Sequence, residues 1–146
     1  MTKVKHIIDQ KHSKVISVAA SDKVERVLTL MRDHRVRSIL VTENDHLVGI
    51  VSQGDCAIKV LLPNLSATEV SVSQIMTSNP LTVSLENSTD ECMAIMVHKH
   101  IRHLPVMDKE KLVGVISIGD IVKNIIEAQG SQIEFLENYI KGVRMV

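Results

Sequence analysis

The sequence predicts an α+β fold made of two pseudo-symmetric β-α-β-β-α repeats. Three observations carry this reading. The segment Gly49-Ile50-Val51-Ser52-Gln53-Gly54-Asp55 returns 65 residues later as Gly114-Val115-Ile116-Ser117-Ile118-Gly119-Asp120. The match extends without a gap, laying 15–60 on 80–125, so that Val18 meets Val83, Met31 meets Met96, Arg37 meets Arg102 and Val41 meets Val106. Within each copy the apolar residues alternate between short strand-like runs and one helical stripe. An internal duplication defines the structural unit. With only two copies, the arrangement is a pair and not an open solenoid.

The first repeat is expected over 5–62. Val15 to Val18 is a short β-branched run. Asp22 with Glu25 has the form of a helix start, an acceptor followed three residues later by an acid. Val24, Val27, Leu28 and Met31 then follow at helical spacing as one apolar stripe. Val36 to Val41 reads as a strand, Glu43-Asn44-Asp45 supplies turn chemistry, and Leu47 to Val51 reads as the next strand. A further helix opens near Asp55 and ends by Pro63.

Residues 63–79, rich in Ser, Asn and Thr, form the connection. The second repeat follows over 80–128. Asn87 and Asp90 take the capping positions, and Thr89, Cys92, Met93 and Met96 make the stripe. Leu104 to Met107 and Leu112 to Ile116 are its strands. After Gly130, Ser131 and Glu134 read as a capping box for a last helix over 131–142, outside the duplication.

Composition narrows the function. At 146 residues the chain suits one domain that buries about 68% of its unfolded surface. Seventeen Lys and Arg balance seventeen Asp and Glu, so no global field draws nucleic acid or an anionic membrane. Phe135 and Tyr139 are the only aromatics, which leaves the repeats without a base-stacking platform. No apolar run approaches the roughly 20 residues of a membrane span. The charged start lacks the apolar stretch of a signal peptide, and Cys56 and Cys92 form no CxxC, so a cytoplasmic, reduced protein is expected.

The two Ser-x-x-Asp sites carry the chemistry. A strand ending where a helix begins leaves unpaired N–H groups and a positive dipole end, suited to a phosphate or polar ligand. A carboxylate there can accept two hydrogen bonds from the vicinal hydroxyls of a ribose. The plainer reading makes Ser52, Asp55, Ser117 and Asp120 simple N-caps, and for a single occurrence it is the favoured one. Two occurrences in register, each after a Gly and apolar strand residues, favour a site. Upstream of each lies a basic cluster, His34-Arg35-Val36-Arg37 and His98-Lys99-His100-Ile101-Arg102-His103. These suit a helix C-terminus or a phosphate. His98, His100 and His103 fit neither one helical face nor a zinc pattern, so no metal is expected. P-loop, GxSxG and HExxH motifs are absent, and the expectation is not an enzyme. Cys56 could be a thiolate at a helix start or a small buried apolar group.

Taken together, Gly49-Ile-Val-Ser52-x-x-Asp55, Gly114-Val-Ile-Ser117-x-x-Asp120, the run Ile101-Arg102-His103-Leu104-Pro105-Val106 and Ile75-Met76-Thr77 resemble a tandem pair of cystathionine-β-synthase (CBS) domains. The resemblance is to the regulatory module called a Bateman module, of the small stand-alone bacterial type, over roughly residues 5–128. It implies repeats packed through their sheets, with an adenine nucleotide in clefts between them. AMP is the first expectation, with ADP, ATP, NAD(H) or S-adenosylmethionine open. Asp55 and Asp120 would hold ribose hydroxyls, and Ser52 and Ser117 ribose or phosphate. Backbone near Ser17, Val18, Thr82 and Val83, with Ile50 and Val115, would enclose the adenine. Arg102 and His103, flanked by Pro105 and Gly119, would meet phosphate in the second site and Arg37 in the first.

The resemblance further implies a homodimer, an unidentified regulated protein, and signalling through rearrangement. The other reading is a protein-interaction subunit, redox-linked through a thioredoxin-type partner, with vestigial nucleotide sites. The first repeat departs from the pattern, with Arg37-Ser38-Ile39-Leu40 where the second has Arg102-His103-Leu104-Pro105, and Gln53-Gly54 between its Ser and Asp. Unequal sites follow as an expectation, with Asp120 in the tighter one.

Overall fold

The computed structural model describes residues 2–12 and 14–129. The sequence-predicted helix over 131–142 lies outside the described residues. The first sheet orders four strands as β1 (Ser17–Val18), β2 (Ser38–Glu43), β3 (His46–Ser52) and β4 (Thr77–Ser78). The second orders three as β5 (Val83–Ser84), β6 (His103–Asp108) and β7 (Lys111–Ser117). Each sheet has the same plan: a short parallel strand on one side of an antiparallel hairpin. Both hairpins carry a register shift at the same place, Val41/Thr42 and Val106/Met107. It leaves Val48 and Val113 as extra residues beside Gly49 and Gly114, and such bulges bend an edge and re-aim side chains. In the first hairpin Asn44 and Asp45 both sit at positive φ, 50° and 64°, the geometry of a two-residue turn that follows strand twist.

The helices are α1 (Val4–Lys11), α2 (Val24–His34), α3 (Gln53–Cys56, running on through a wide turn over Ala57–Leu61), α4 (Val72–Ile75), α5 (Thr89–Lys99) and α6 (Ile118–Ala128). α5 starts at Ser88, not at Asn87: the Ser88 hydroxyl accepts from the Glu91 amide, and Glu91 returns the bond to the Ser88 amide. Asn87 instead accepts from the Ser84 amide at 2.7 Å, closing the turn before the helix. Asp22 does the same for Ala19 at 2.9 Å, and α2 begins after Lys23 with no side-chain cap. The first repeat has Lys23 and Arg26 where the second has the box-forming Ser88 and Glu91, so of this matched pair of helices only α5 is capped this way. Leu28 is 39% exposed and leaves the α2 stripe, which is Val24, Val27 and Met31.

The cores are cross-assembled. Val4 and Ile7 of α1 lie in the core of the second repeat, with Val83, Cys92, Met96, Leu104, Val106, Ile116 and Ile121. The stretch after Pro63, expected as connection, supplies Val70, Val72 and Ile75 to the core of the first repeat, with Val24, Val27, Ile39, Val41 and Val51. Backbone bonds fix both exchanges. Val4 and Lys5 donate to the carbonyls of Asn87 and Leu85, while Val72 and Ser73 donate to those of Asp22 and Ala20. Each sheet therefore buries its helix-facing side only with a segment lying outside its own hairpin and helices.

Candidate functional site

Each Ser-x-x-Asp forms a reciprocal cap. Ser117 Oγ accepts from the Asp120 amide at 3.1 Å, and Asp120 Oδ2 accepts from the Ser117 amide at 2.8 Å. Ser52 and Asp55 repeat this at 3.1 and 2.9 Å. The strand-to-helix transition is thus written by the motif itself. The two copies differ in what surrounds them.

Beside Asp120 lies a cavity of about 790 Å³ between the repeats. Its wall is built from Lys14 to Ile16, His34 to Ser38 and Leu40 of the first repeat, Arg102, His103, Val113 to Val115 and Ser117 to Asp120 of the second, and Ile8 and Lys11 of α1. Five cations, Lys11, Lys14, Arg35, Arg37 and Arg102, line it with one carboxylate, Asp120. Burial holds the His103 imidazole below its usual pKa; Asp120 opposes this, and Lys11, Arg102 and Arg37 add to it. Lys11 Nζ reaches across to the Val115 carbonyl at 2.8 Å and Asp120 Oδ2 at 2.9 Å.

In the first repeat the matching strand edge is covered. β4 pairs along the outer edge of β3, with Gly49 opposite Ser78 and Ile50 opposite Thr77. A methyl group on Gly49 would sit 2.6 Å from Met76 Sδ and 3.0 Å from the Thr77 carbonyl. Among the described residues the second sheet ends at β7, and a methyl on Gly114 would meet only Ile8 Cδ1 at 3.2 Å. Asp55 is served by Lys59 at 3.2 Å, from the same helix, and Lys59 also donates to the Ile75 carbonyl.

Of the sequence-predicted residues, Ser117, Asp120, Arg102, His103, Val115 and Gly119 meet in the cavity. Arg37, of the first repeat, joins them there from across the repeat boundary. Thr82, Val83 and Pro105 are outside its wall, Val83 being buried in the second core. Ser17 and Val18 are likewise outside, paired with Leu40 and Val41, as are Ile50, which pairs with Thr77 of β4, Ser52 and Asp55. Sequence reasoning missed Lys11, Lys14, Val15, Ile16 and Ser38. Only the position of α1 on the second sheet brings Lys11 there. Cys56 is buried, and burial with the Asp55 carboxylate pushes its thiol up; Cys92 is pushed up to about 11 by burial and Glu91. No three His, Cys, Asp or Glu side chains among the described residues gather as a metal site.

The CBS domain family profile matches residues 4–61 and again 72–127. The chain belongs to the CBS domain family. A CBS-domain protein of known structure from Burkholderia ambifaria superposes on this CBS pair with a TM-score of 0.84 at 39% identity, over 88% of this chain and 96% of that one. The mitochondrial CBS domain-containing protein CBSX3 of Arabidopsis thaliana is 29% identical over 126 residues, 83% of this chain; the CBS pair spans 61% of that relative's length. CBSX2, solved in complex with AMP, shares the fold at a TM-score of 0.71 and 22% identity, over 88% of this chain and 99% of that one. No helix among the described residues is long and apolar enough to cross a membrane.

Proposed function

We propose that this chain is a non-catalytic sensor that binds one adenine nucleotide in the cavity beside Asp120. The observation that carries the reading is the cavity itself: about 790 Å³, within the range of small-molecule sites, with five cations against one carboxylate. The Asp120 carboxylate at the start of α6 suits ribose hydroxyls, and Arg102 and Arg37 suit a phosphate. Neutral His103 can donate or accept there. Val15, Ile16 and Val113 give an apolar slot for a base. The AMP held by CBSX2, which has this fold, supports AMP as the first ligand to test. ADP, ATP and NAD(H) are carried as the other candidates, and no metal is required.

Signalling follows if occupancy favours one arrangement of the repeats, or of a homodimer, over another. The walls come from both repeats, so a ligand bridging them has that differential contact. Calorimetric titration with AMP, ADP, ATP and NAD(H) tests the reading. Saturable binding weakened at least tenfold by Arg102→Ala is expected, and silence with all four ligands at millimolar concentration would overturn it.

One observation favours a second reading, a protein-interaction subunit. Ile58, Leu61, Leu62 and Leu65 are all more than half exposed, around the end of α3. A partner retained without nucleotide, and indifferent to it, would favour that reading. A cytoplasmic regulated protein is the partner expected in either case.

A further inference from the structure

We infer that Lys11 is a latch that occupies the nucleotide's polar groups while the cavity is empty, so that binding must evict it and release the end of α1. This rests on the nucleotide reading above and names how that site is regulated. Lys11 Nζ lies 2.8 Å from the Val115 carbonyl and 2.9 Å from Asp120 Oδ2. The carboxylate is the group a ribose would use, and the carbonyl is a hydrogen-bond acceptor on the neighbouring edge strand. One ammonium therefore covers both. The pair is shielded, with side chains 31% and 21% exposed, so its attraction is less screened than that of a surface pair.

The first repeat points the same way by contrast. There the carboxylate is neutralised from within its own helix, Asp55 by Lys59 four residues on. The matching position of α6 is Asn124, which cannot serve Asp120 as a cation. The lysine comes instead from α1, which is anchored at its start by the Val4 and Lys5 backbone bonds and by buried Ile7. Its last residue is Lys11, followed by His12 at a φ of 50°. Removing Lys11 from Asp120 and Val115 thus takes two bonds from the last residue of α1 while its start stays docked. A ligand at Asp120 acquires a mechanical output toward residues before the first repeat's sheet.

Adenosine isolates the competition, because it carries no phosphate that could recapture the displaced ammonium. In Lys11→Met, which keeps the apolar stem, adenosine binds about two- to fivefold more tightly than to the wild type, the range set by an ion pair of up to about 1 kcal/mol. AMP gains less, since the variant also lacks a cation near its phosphate. Lys14→Met, which removes a cavity cation outside the latch, weakens AMP and gives adenosine no gain. Amide exchange at residues 8–12 of the wild type speeds up on saturation with adenosine. If Lys11→Met fails to fold, Lys11→Gln takes its place. Adenosine affinity that is unchanged or weakened, in a wild type that does bind nucleotide, overturns the latch alone. Absence of adenosine and AMP binding in both proteins overturns the latch together with the nucleotide site.

Discussion

Replacing Asp120 and Asp55 in turn by alanine separates what the two motifs do for stability from what they do for binding. Both carboxylates close a capping box and accept from a lysine. Losing the box costs about 1 kcal/mol. Losing the ion pair costs up to about 1 kcal/mol more, reduced for Lys59, whose side chain is 44% exposed. Each variant should therefore melt roughly 3–8 °C below the wild type, by similar amounts. Binding should divide them. A hydrogen bond to a charged group contributes about 1.5–3 kcal/mol, so losing the ribose acceptor weakens AMP by roughly a hundredfold in Asp120→Ala. Asp55→Ala, outside the wall of the cavity, should leave the affinity within about twofold. Scanning calorimetry gives the first comparison and isothermal titration the second. Loss of binding in Asp55→Ala with retention in Asp120→Ala would refute the ranking of the sites.

Three other outcomes follow. Gly49→Ala should destabilise by about 1–3 kcal/mol and Gly114→Ala by clearly less, because the added methyl meets Met76 Sδ and the Thr77 carbonyl in one case and a movable Ile8 terminus in the other; urea denaturation measures both. His103 is held below its unfolded pKa chiefly by burial, so the stability it contributes is complete above about pH 6.5 and is lost as pH falls through the lower folded value. The wild type should lose stability relative to His103→Gln between pH 7 and 5, and equal slopes would contradict this. Cys56 and Cys92, buried with raised pKa values, should resist an aromatic disulfide reagent at pH 8 and titrate only in denaturant; rapid labelling of native Cys56 would revive a redox role.

The duplication, both hairpins and most of each apolar stripe were legible because they rest on local periodicity and on a 65-residue repeat. The exchange of core segments was not. Val4 and Ile7 answer to Val72 and Ile75, three positions out of the repeat's register, and few other letters match there. Without that exchange Lys11 has no path to Asp120. Arg37 was legible as basic and paired with Arg102, but not as lining the same cavity, since the strand starts of both repeats meet only once the sheets are packed. The inequality of the sites was read from Ser38 against His103. Met76 and β4, which cover the edge of β3 at Gly49, lay inside a stretch read as connection, where short strands leave almost no pattern.

The crossed cores also set a timetable for synthesis. The helix bearing Val4 and Ile7 leaves the ribosome early, yet Leu104, Val106 and Ile116 that cover it are made about a hundred residues later. At ~5–20 residues per second that interval is roughly 5–20 s. Through it a small apolar face waits without its mate, and docking it closes a loop almost as long as the domain, which slows folding. A nascent chain stalled before β7 would leave that face exposed to chaperones or to another chain.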